Sequence, residues 1–138
     1  MMRRELKERC AKIEECYEFM LAYAAQGVAG DSGHESSGQL RLLLSRAEQA
    51  LTGLGDAYAA EVAVHGLEPA ERYLAFLDVL DRDARAALAA VQLVMAQPSI
   101  SSQLVDNLNA SIHVRALLTD LFLIDEILKS RVADSPAR

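Results

Sequence analysis

Residues 99–131, SISSQLVDNLNASIHVRALLTDLFLIDEILKSR, carry two apolar faces where a surface helix needs one. Ala110, Val114, Leu117, Leu121, Ile124 and Leu128 alternate spacings of four and three, which makes a continuous helical stripe. Val105, Ile112, Ala116, Leu123 and Ile127 fall on roughly the opposite side, at ~100° per residue. A helix with two such stripes is either central to its domain or shared with a second chain. This stretch therefore predicts an all-α fold whose last helix, about 100–131, contributes to more than one interface.

Three further helices are expected. In the first, about 3–26, Leu6, Cys10, Ile13, Tyr17, Met20 and Ala24 keep the same alternation. Leu40, Leu43, Leu44, Ala47, Leu51, Leu54 and Tyr58 mark a second over 37–65. Gly53 and Gly55 predict a kink or break in it near 53–56, and Gly66 a C-terminal stop. Tyr73, Leu77, Leu80, Ala84, Leu88, Val91 and Met95 mark a third over 69–97, opened by Pro69 and closed by Pro98. The Gly- and Ser-rich segment 27–36 reads as a flexible loop, and Ser36 with Gln39 as a capping box. Both late connections are short, so neighbouring helices should run antiparallel. The expected architecture is one domain over 1–138, an up-down-up-down four-helix bundle, homodimeric through its C-terminal helix.

Composition excludes several classes. Acidic residues outnumber basic ones by 20 to 14, and the net charge is −6, which is poorly suited to wrapping nucleic acid, and neither a nucleic-acid nor a membrane partner is expected. No apolar run reaches the length of a transmembrane helix, and the basic residues at the start are interleaved with Glu5 and Glu8, unlike a signal peptide. A cytoplasmic protein is expected. Cys10 and Cys16 lie six apart on one helix, about 9 Å, too far for a disulfide, so both should be reduced thiols packed as small apolar groups.

No catalytic set emerges, and no cofactor is expected. The Glu-x-x-His pairs of di-iron bundles are absent, Glu61 and His65 stand alone four apart, and no Gly-x-Ser-x-Gly elbow occurs. Gly27, Gly30 and Gly33 follow a helix rather than a strand and have no accompanying Lys, unlike a phosphate loop. His34 in that loop is expected to face solvent.

Asp106, Asn109, His113 and Asp120 should form a polar seam between the two apolar faces, fixing register at an interface. A histidine flanked by acids on an elongated bundle is also similar to histidine-phosphotransfer domains, which would make His113 a phosphoryl acceptor. Their His-x-Leu-Lys-Gly pattern is replaced here by His113-Val114-Arg115-Ala116-Leu117, with Arg one place early and Leu in place of Gly. The leading expectation is a non-enzymatic interaction protein, an adaptor, chaperone or assembly factor. Its partners would be itself and another protein, met through Val105, Ile112, Ala116, Leu123 and Ile127. The alternatives are a phosphotransfer-like signalling element using His113 and a carrier or sensor of small apolar ligands.

Overall fold

The computed structural model describes residues 3–30 and 37–133, and all regular structure among them is helical. Six helices run α1 Arg4–Ala25, α2 Ser37–Leu51, α3 Leu54–His65, α4 Ala70–Met95, α5 Ser102–Ala110 and α6 Ile112–Ala133. Two of the expected helices are each divided in two. The first division, at Thr52 and Gly53, falls where the glycines predict it. Gly53 adopts φ +72°, a left-handed conformation that a side chain would strain. Gly55 follows inside α3, and a Cβ there would come within 2.6 Å of the Asp81 Cβ on α4, so the two helices meet over a bare backbone.

The second division, at Ser111, was not expected. Ser111 has φ −63° and ψ 145°, so it leaves the helical path for one residue. Its N–H donates to the Leu108 carbonyl, closing α5, and its Oγ accepts from the Val114 N–H, opening α6. One serine thus serves two helix ends. Its extended backbone also breaks the ~100° progression that placed Val105 and Ile112 on one face.

The helix at the centre is α4, which packs against α2, α3, α5 and α6. α1 lies against α2 and α5, and α6 packs chiefly on α4. Leu6, Ile13, Met20, Leu44, Leu54, Leu80, Val91, Leu117 and Leu128 are among the aliphatic residues of one continuous core, with Tyr23 and Tyr58 its largest fully buried side chains.

Side chains of distant segments finish several helix ends. Arg9 of α1 donates to the Ala50 and Thr52 carbonyls, and Arg41 of α2 to those of Met95 and Gln97. Each guanidinium therefore meets the electron-rich carboxyl end of another helix. Ser101 caps α5 by accepting from the Leu104 N–H. The buried Ser102 donates to the Tyr23 carbonyl at 2.6 Å and accepts from the Val28 N–H at 2.8 Å. The Ser102 N–H returns to the Val28 carbonyl, so the chain leaving α1 is clamped to the start of α5. Val28 was expected in the flexible loop, yet it is half-buried and fixed. Residues 31–36 of that loop, with His34 and Ser36 of the capping box, lie outside the described residues. Gly66 closes α3 at φ +57°, and Pro69 stands at the N-cap of α4.

Candidate functional site

α6 turns one side to the bundle. Val114, Leu117, Leu118, Leu121, Ile124, Leu128 and Val132 are buried there, whereas Ala110, expected on the same stripe, is exposed at the end of α5. The opposite side is uncovered. Ile112 is 75% exposed, Leu123 50% and Ile127 38%, with Ala116 half-buried between them. Phe122, which the stripe pattern did not select, is 63% exposed on one flank. Val105 does not belong to this face. It is fully buried in α5, because the turn at Ser111 sends the two helices in different phases.

The outward face is not flat. Ala110, Ile112, Arg115, Ala116, Thr119 and Asp120 line an open groove of about 540 Å³. Thr119 is occupied by a hydrogen bond to the Arg115 carbonyl at 2.8 Å. Arg115 and Glu126 are exposed and have no ion-pair partner among the described residues.

The four residues of the expected polar seam are not brought together. Asp106 and His113 are exposed, and among the described residues no hydrogen bond holds either side chain. Asn109 and Asp120 are buried. Neither amide atom of Asn109 finds a hydrogen-bond partner among the described residues. Asp120 faces Asp83 of α4. Burial, the hydrogen bond to Asp83 and the charge of Asp83 push the Asp120 carboxyl up to about 7. The buried Asp120 Oδ2 has no hydrogen-bond partner among the described residues.

A second polar line runs along α3. The Tyr58 hydroxyl donates to Asp125 Oδ1 at 2.6 Å and lies 3.0 Å from the Cys10 sulfur. One turn on, Glu61 is 1% exposed and sits 2.9 Å from His65 Nε2, and it accepts the Arg3 backbone N–H at 3.2 Å. The Arg3 guanidinium stands 3.7 Å from the same carboxylate. Tyr58 and Glu61 each reach a partner outside α3, Asp125 and Arg3, and His65 bonds to Glu61 within it, which is how buried polar groups are normally tolerated. Periodicity marked Tyr58 only as core and left Asp125 unremarked, because a contact across 67 residues leaves no local trace.

Cys10 and Cys16 are free and buried. Burial pushes the Cys10 thiol up to about 11, against a lowering contact from Tyr58, and pushes Cys16 up to about 12. Thiols held protonated in this way are poor nucleophiles. No group of three or more His, Cys, Asp or Glu that could hold a metal occurs among the described residues. No helix among them is long and apolar enough to cross a membrane. An apolar cavity between α1, α2, α4 and α6, lined by Ile13, Met20, Leu51, Val91 and Leu117, measures about 30 Å³. That is far below the ~300 Å³ at which small-molecule sites begin.

No protein family, curated protein or solved structure matches this chain.

Proposed function

We propose that this chain is a non-enzymatic helical interaction protein, an adaptor, chaperone or assembly factor, that works through the outward face of α6. In this reading the six helices act as four arms of an up-down-up-down bundle, α2 with α3 and α5 with α6 each counting as one. The C-terminal arm meets a second copy and another protein. The observation that carries the reading is the row Ile112, Leu123 and Ile127, with Phe122 beside it, left uncovered on a helix whose other side already fills its core. Clustered apolar area of this kind marks protein contacts more often than single exposed residues do. The unlinked thiols fit the reducing cytoplasm.

Sedimentation of the wild type beside Leu123→Asp/Ile127→Asp tests it. The wild type should associate at about tens of micromolar, and the variant should be monomeric while keeping its helical circular dichroism, because the buried stripe of α6 is untouched. A variant that unfolds, or that associates like the wild type, sinks the proposal.

One observation favours a second reading. His113 is open to solvent in the first turn of α6, as a phosphoryl-accepting imidazole must be. Incubation with phosphoramidate should then yield an acid-labile phosphohistidine that His113→Gln abolishes. The carrier reading gains nothing from an interior cavity of about 30 Å³.

A further inference from the structure

We infer that the outward face of α6 pairs with the same face of a second copy, the two helices running antiparallel about a twofold axis at about position 120. This rests on the reading of that face as the working surface shared with a second copy, and it adds the direction and the register.

The sequence of the face is self-complementary in one direction only. Antiparallel pairing about this midpoint sets Ile112 against Ile127 of the second copy and Ala116 against its Leu123. Those pairs centre on 119.5, and about a midpoint one residue further on, 120.5, Thr119 meets Phe122 and Arg115 meets Glu126. Small lies under large, apolar on apolar, and cation on anion. The groove at Ala116 is where the register delivers Leu123 of the second copy, so a hollow of the face receives one of its prominent side chains.

The charges decide the direction. Arg115 and Glu126 lie on the same flank of the stripe, about 16 Å apart along the axis. A twofold axis across two antiparallel helices turns each flank toward the matching flank of the twin, so both charges are compensated, twice over. Parallel pairing turns each flank toward the opposite one. There Arg115 and Glu126 would face the side carrying His113 and Ile127 and stay uncompensated. Both side chains are free for the contact, having no ion-pair partner among the described residues.

The test is a charge exchange read by sedimentation equilibrium. Wild type should be a dimer at about tens of micromolar. Arg115→Glu and Glu126→Arg, each singly, place two like-charge contacts in the interface and should weaken the dimer on the order of tenfold. Arg115→Glu/Glu126→Arg should restore it. Both positions are exposed, so circular dichroism should stay unchanged throughout. A monomeric wild type overturns the inference, as do single variants that dimerise like wild type or a double exchange that recovers nothing. A dimer dissolved by Leu123→Asp/Ile127→Asp but indifferent to the charge variants overturns the register alone and leaves the interaction face standing. If the wild type is monomeric, the broader reading survives only where Leu123→Asp/Ile127→Asp strips away a protein that co-purifies with the wild type.

Discussion

The Tyr58 hydroxyl on α3 donates to Asp125 on α6, 67 residues away, at 2.6 Å. Because that proton is committed to the carboxylate, the hydroxyl oxygen is left to accept from the Cys10 thiol of α1. Three helices that share few other contacts are tied at one oxygen atom. Tyr58→Phe keeps the ring and removes the oxygen, leaving a carboxylate without its donor and a thiol without its acceptor. Urea denaturation should show a loss of about 1–3 kcal/mol. A variant as stable as the wild type would mean that this contact contributes nothing.

Asp120 gives stability a pH dependence with a definite sign. Its folded-state carboxyl titrates near 7, whereas in the unfolded chain it ionises at the ordinary value of about 4. Between those limits the folded chain holds a proton that the unfolded one has released. The stabilisation is therefore complete below about pH 4 and is lost as pH rises through about 7. Asp120→Asn keeps a donor toward Asp83 and cannot ionise. Denaturation at pH 5 and pH 8 should show the variant gaining on the wild type at the higher pH, by about 2 kcal/mol. An equal difference at both values would contradict it.

The thiols should be silent in the native protein. With Cys10 raised to about 11 and Cys16 to about 12, about one thiol in a thousand or fewer is ionised at pH 8. Iodoacetamide at that pH should label neither residue in the folded chain and both in urea, as read by mass spectrometry. Rapid labelling of native Cys10 would show that the bond to Tyr58 opens readily.

Gly55 should resist substitution more than its helical setting suggests. Alanine ordinarily favours a helix over glycine by ~1 kcal/mol. Here the added Cβ would stand 2.6 Å from the Asp81 Cβ, an atom fixed to the α4 backbone, so the helices would have to separate. Overpacking of that kind costs about 1–3 kcal/mol and should outweigh the propensity gain. A thermal melt of Gly55→Ala should shift downward.

Local chemistry was legible wherever a residue acts on its own neighbours. Gly53, Gly66 and Pro98 mark ends that the structure also places there, since φ preference is a property of a few residues. Ser111 was not legible, although serine is a good cap, because its apolar neighbours continue the helical period across the break. Periodicity also counts faces without naming their occupants. Two stripes on 99–131 left two settings open, a central helix or one shared with a second chain, and within the chain α4 holds the centre while α6 packs on it. The clamp of Ser102 on Tyr23 and Val28, and the meeting of Asp83 with Asp120, join segments far apart in the chain. Nothing in the residues beside them announces such pairs.

The single extended residue at Ser111 has a consequence for how this chain can change over generations. An uninterrupted helix transmits its angular phase from end to end, so a residue inserted anywhere rotates everything beyond it. Ser111 resets the phase. The clamp of α5 on α1 and the outer row of α6 are thereby released from each other's spacing. Substitutions that remodel the outer row can accumulate without disturbing what α5 must bury, and selection can act on the two surfaces one at a time.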